Sequence, residues 1–151
     1  MCNEQTILVV DENEDNAKSV QRALAANQIA NPARVARDGR DAAAYLEGTG
    51  PFTDRDSFPP PCAIFTELKA QRGDGFEFLE WLHRHPAHSS IPVVAFCRFD
   101  RAQDMMEAFG LGVRCFLAKP AGFDNLAREI SAACENWSWC QKEPAPAGAQ
   151  V

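Results

Sequence analysis

Most of the usual pointers to a chemistry are missing from this chain of 151 residues. No glycine-rich phosphate loop follows the first apolar run. The turn Asp11-Glu-Asn-Glu-Asp15 stands there instead, and its carboxylates repel a phosphate unless a metal ion intervenes. No Lys/Arg cluster is present to track a nucleic-acid backbone, and 21 acidic against 15 basic residues leave a net charge of -6, so nucleic acid is not an expected partner. The longest apolar runs, such as Ile7 to Val10 and Val93 to Cys97, fall far short of the roughly 20 residues that span a bilayer; no signal peptide is readable, and no membrane partner is expected. No CxxC pair occurs among Cys2, Cys62, Cys97, Cys115, Cys134 and Cys140, which reads as reduced thiols of a cytoplasmic protein rather than a disulfide framework. Internal repeats, linkers and a second domain are also lacking.

What is present is 46% apolar residues, enough for one core at this length, where a folded chain buries roughly 70% of its unfolded surface. Apolar runs recur at Ile7 to Val10, Cys62 to Phe65, Val93 to Cys97 and Cys115 to Ala118, with a weaker one at Ala33 to Arg37. Continuous apolarity without alternation means that both faces are covered, as in a parallel sheet. The segments between carry helical spacing: Ala17, Val20 and Leu24; Phe76, Leu79 and Leu82; Met105, Ala108 and Phe109; then Phe123, Leu126, Ile130, Ala133 and Trp137 in one stripe of about four turns. Asp74 and Asp100, each three residues before a Glu or Gln, are expected caps, and Gly110 and Gly112 expected stops. Strand and helix thus alternate five times, an α/β, doubly wound parallel sheet with helices on both faces. One domain is expected over residues 1–140. The stretch Gly48 to Pro61 is expected to be an exposed loop, and residues 141–151 a disordered tail.

In such sheets the ligand crevice lies beyond the carboxyl ends of the strands. The residues there are Asp11, Glu12, Glu67, Cys97 and Lys119. Three carboxylates suit a hard ion such as Mg2+ on Asp11, Glu12 and Glu67; a solvated acidic rim neutralised by Lys119 explains them equally well. His83, His85 and His88 straddle a helix end and Pro86 with no acidic or Cys partner, which argues against a metal site, and Arg72-Gly-Asp74 reads as a turn and cap.

These residues carry a resemblance. Ile7-Leu-Val-Val-Asp-Glu-Asn13, Arg37-Asp-Gly39, Gly50-Pro-Phe52, Gly75-Phe-Glu-Phe-Leu-Glu-Trp81, Ile91-Pro-Val-Val94 and Lys119-Pro120 together resemble a CheY-like response regulator receiver domain, most of all the single-domain phytochrome response regulators, over about residues 5–137. The resemblance implies a flavodoxin-like strand order 2-1-3-4-5 and a phosphorylation switch of two-component signalling, whose output is binding rather than catalysis. Asp11 and Glu12 match the Mg2+ pair and Lys119 the phosphate-neutralising Lys, with Lys119-Pro120 the family's cis peptide. The acceptor position, an Asp in receivers, falls on Glu67; the switch hydroxyl falls on Cys97, the aromatic switch on Phe116, and a usual Pro on Gln71.

The departures matter more than the matches. A Glu carries its carboxylate about 1.5 Å further than an Asp, and in-line phosphoryl transfer tolerates little misplacement. A thiol is a weak donor where a hydroxyl should read the phosphoryl group. An atypical receiver not phosphorylated in the ordinary way is therefore expected, Glu67 either imitating the phosphorylated form or, more economically, pairing with Lys119. Mg2+, if held, is held weakly. The implied partner is a sensor histidine kinase or another signalling protein. A homodimer or partner contact is expected through the fourth helix, fifth strand and fifth helix, using Phe109, Phe116, Trp137 and Trp139; for Trp137 alone, packing onto its own core is an equal alternative. The alternatives are a functional phosphorelay receiver despite Glu67 and a thiol redox sensor through Cys97, the ends of neighbouring strands bringing the Cys97 and Cys115 thiols near a Lys that lowers a thiol pKa.

Overall fold

The computed structural model describes residues 6–68, 74–97, 102–118 and 123–137. Strands β1 (Thr6–Val10), β2 (Ala33–Ala36), β3 (Pro61–Glu67), β4 (Val93–Cys97) and β5 (Cys115–Ala118) alternate with helices α1 (Glu14–Ala26), α2 (Gly39–Glu47), α3 (Asp74–His83), α4 (Ala102–Gly110) and α5 (Phe123–Ala133). The strands form one parallel sheet in the order β2-β1-β3-β4-β5, as the resemblance implies.

Strand side chains alternate between the faces, and each face has its own helical cover. Leu8, Val10, Ile64, Ala95 and Cys97 pack with Tyr45, Phe76, Leu79 and Ala108 from α2, α3 and α4. Ile7, Val9, Phe65, Val94 and Phe96 pack with Val20, Leu24, Leu126 and Ile130 from α1 and α5. This double cover is why the runs are apolar throughout. The edge strand β2 is the exception, with Arg34 and Val35 exposed.

Local signals set the helix ends. Asn13 caps α1, its side chain accepting the N–H groups of Asp15 and Asn16. Asp38 caps α2 through Asp41 N–H, and Gly48 ends it at φ 69°, a left-handed position that suits glycine. α4 stops at Gly110, with Gly112 at φ 106° beyond it. The expected caps Asp74 and Asp100 involve side chains outside the described residues, as does the tail 141–151.

Two expectations are corrected. The stretch after Gly48 is no simple exposed loop: it holds a 3-10 turn, Gly50–Phe52, and packs a small aromatic core of its own. Phe52 meets Tyr45 at 5.1 Å and Phe58 at 5.2 Å between ring centroids. The Tyr45 hydroxyl donates to the Pro59 carbonyl at 2.9 Å, and Arg55 donates to the Tyr45 carbonyl at 2.7 Å. Rings gathered this way leave water together, which outweighs the turn-forming character of the residues around them. The last helix is also shorter than four turns. It ends at Ala133, and a 3-10 turn, Cys134–Asn136, delivers Trp137 into the core.

Candidate functional site

The ladder registers place the site. Val10 lies level with Thr66, Glu67 with Phe96, and Cys97 with Ala118. Asp11, immediately after β1, therefore stands at the same end of the sheet as Glu67 and Cys97, which close β3 and β4. The ladder continues one step beyond the strands, Asp11 N–H donating to the Ala36 carbonyl at 2.9 Å and Leu68 N–H to the Phe96 carbonyl at 2.8 Å. Asp11 is half-buried, and its Oδ1 accepts the Asn13 N–H at 2.9 Å. Glu12 is exposed and Glu67 half-buried. Lys119, Pro120 and Gln71 lie outside the described residues, and with them the expected Glu67–Lys119 pair and the cis peptide.

The donor chemistry of Asp11, Glu12 and Glu67 suits a hard divalent ion, since all are carboxylates. Their arrangement does not close into the three-ligand set expected: among the described residues no three His, Cys, Asp or Glu side chains gather closely enough to hold a metal. Asp11 Oδ1 is engaged by the turn.

Cys97 is only 2% exposed. Burial, aided by the negative charge of Asp104, pushes its thiol up to about 11. A buried thiol shifted in this direction stays protonated at neutral pH, which weighs against a redox sensor at Cys97. Lys119, the Lys expected near these thiols, lies outside the described residues, and the two thiols are not neighbours of each other. Cys115 lies level with Val94, three residues from Cys97 along the strands and so about 10 Å away. The two sulfurs also serve opposite faces, Cys97 the α2–α4 core and Cys115 the α1–α5 side.

The aromatic switch position, Phe116, is half-buried against the α2–α4 core. Phe109 on α4 is 53% exposed, and Met106, which the sequence reading passed over because it lies off the buried stripe, is 74% exposed. Arg114 lies over the Phe109 ring at 4.1 Å and donates to its carbonyl at 2.8 Å. Trp137 does not belong to this surface. Its ring meets Phe65 edge-on and its indole N–H donates to Cys115 Sγ at 3.4 Å, so its assignment to an interface is corrected by its burial. Trp139 lies outside the described residues. Two of the three histidines serve packing: His85 stacks on Trp81 at 4.1 Å between centroids and His88 at 5.9 Å.

One residue escaped the sequence reading. Glu129 of α5 accepts the Ala118 N–H through Oε1 at 3.1 Å, setting a carboxylate at the end of β5, immediately before Lys119. It sits on the polar side of an amphipathic helix, where a carboxylate attracts no notice.

Residues 7–131 match the family model of the response regulator receiver domain. Response regulator Rcp1 of Synechocystis sp. is 26% identical over 133 residues, 88% of this chain and 88% of that protein. Its structure in the Mn2+-bound form superposes with a TM-score of 0.74, covering 95% of this chain and 99% of that one. The phosphorylated cyanobacterial phytochrome response regulator RcpA superposes at 0.76, with 26% identity and coverage of 93% and 99%. The bacteriophytochrome response regulator AtBRR does so at 0.70, with 31% identity and coverage of 91% and 97%. Among the described residues no helix is long and apolar enough to cross a membrane. The match over residues 7–131, on a sheet wound in the order expected of it, makes this chain a member of the response regulator receiver family of two-component signalling.

Proposed function

We propose that this receiver works by binding another signalling protein, a sensor histidine kinase or a component downstream of one, and that ordinary phosphorylation no longer switches it. The observation that carries the reading is Glu67 at the end of β3, one ladder step from the buried thiol of Cys97 at the end of β4. A Glu there sets its carboxylate about 1.5 Å too far along for in-line transfer, and the thiol is a poor donor to a phosphoryl oxygen. Glu67 pairs with Lys119 in this reading, fixing one state of the domain. Mg2+ is held weakly, through Asp11 and Glu12 with most of its waters retained. The partner-binding surface is the α4–β5–α5 face, where Phe109 and Met106 are exposed and Phe116 is half-buried; a second copy of the chain is one candidate for that face.

RcpA in its phosphorylated form and Rcp1 with Mn2+ define the rival reading, a receiver that accepts phosphate in spite of Glu67. Incubation with a small phosphodonor and Mg2+, followed by intact mass, separates the two. The native chain should gain no phosphoryl unit, while Glu67→Asp, alone or with Cys97→Thr, should gain a labile one. A magnesium-dependent gain on the native chain overturns the proposal.

A further inference from the structure

We infer that the indole of Trp139 docks in a groove at the end of the sheet opposite the acidic turn, where the chain covers its own apolar wall. The groove, of about 600 Å3, opens between the starts of β4 and β5 and the end of α5. Val94, Cys115, Ala133 and Trp137, on the α1–α5 side of the sheet, line it. Arg114 also borders it, but its guanidinium lies over the Phe109 ring at 4.1 Å, on the α4 side, so the wall calls for an apolar occupant. Ser89 and Ser90 add hydroxyls to the lining.

The covalent chain supplies that occupant. Trp137, itself part of the wall, has extended backbone at φ -100° and ψ 104°, after the 3-10 turn that ends at Asn136. In an extended chain residues two apart share a side, so Trp139 follows Trp137 toward the protein while Ser138 and Cys140 face outward. Two residues span at most about 7 Å, which keeps Trp139 beside the groove wherever the rest of the chain runs. An indole left in water there forgoes the burial that the groove offers, and inside it the indole N–H has the hydroxyls of Ser89 and Ser90 as acceptors. Docked so, Trp139 is withdrawn from the α4–β5–α5 contact expected of it.

The test uses the full chain and alkylation of its native thiols by iodoacetamide, resolved by peptide mass. Cys115, half-buried in the groove wall, should react slowly, and Cys140 serves as the internal reference for an open thiol. Trp139→Ser should speed Cys115 about tenfold relative to Cys140, and Trp139→Phe should keep it slow. Where Trp139→Ser lowers the unfolding midpoint, emission of Trp139 in the folded native chain, taken as its difference from Trp139→Phe, decides the matter by its shielding from iodide. Equal Cys115 rates in the native chain and Trp139→Ser overturn the docking, as does a Trp139 quenched freely by iodide. Protection of Cys115 that fades on dilution overturns it too, because the ring in the groove would then belong to a second copy.

Discussion

The ring of Trp137 meets that of Phe65 edge-on, with centroids 5.5 Å apart and planes at 85°, so a residue beyond the last helix seals the middle of the sheet. Trp137→Ala should therefore lower unfolding stability by about 3–5 kcal/mol, the range for emptying a buried aromatic site. Urea unfolding followed by circular dichroism measures it; a loss below about 1 kcal/mol would return Trp137 to the surface.

The thiol of Cys97, pushed up to about 11 from a usual value of 9.0, makes stability depend on alkaline pH. The folded state keeps its proton where the unfolded chain loses it. The contribution is therefore complete below pH 9 and disappears as pH rises toward 11, with a magnitude of about 2–3 kcal/mol. Tyr45, also raised by burial, adds to the decline. Cys97→Val should flatten the difference, seen as a smaller fall in urea midpoint between pH 8.5 and 10.5 than in the native chain.

Gly48 ends α2 at φ 69°, and a Cβ there would meet the Arg55 side chain at 3.2 Å. Gly48→Ala should cost about 1–2 kcal/mol from the left-handed backbone alone and loosen the hold of Arg55 on the loop. A thermal unfolding midpoint unchanged from the native chain would contradict this.

Met106 and Phe109 stand in water on α4. Met106→Ser with Phe109→Ser should lower stability by only about 1 kcal/mol, from the lost Arg114 contact on the Phe109 ring and the weaker helix propensity of Ser, because neither side chain fills the core. The double variant should nonetheless weaken self-association or capture of the cognate kinase, read by sedimentation and by pull-down. Stability lost with binding unchanged would place the partner surface elsewhere.

Much of the fold is legible in the sequence because double cover writes itself as unbroken apolar runs: Ile7 to Val10 and Val93 to Cys97 are strands buried on both faces. The ends of those runs name Asp11, Glu67 and Cys97 for the same reason, since strands of a parallel sheet finish together. The loop core of Phe52 and Phe58 leaves no such trace, as each ring sits among prolines, glycines and charges with no period to follow. Distances across strands are likewise hidden. Only the register sets Cys115 level with Val94 and so away from Cys97. Spacing places Trp137 on the buried stripe with Leu126 and Ile130, but it does not show the change from α to 3-10 winding through which Trp137 reaches the core.

The bond between Asp11 Oδ1 and Asn13 N–H ties the acidic turn to the helix behind it. A cation arriving there meets a scaffold already braced, so it alters local charge while the backbone stays as it was. Any reshaping that travels to a distant partner must then start among β3, β4 and α4, which makes that half of the molecule the place to watch for movement.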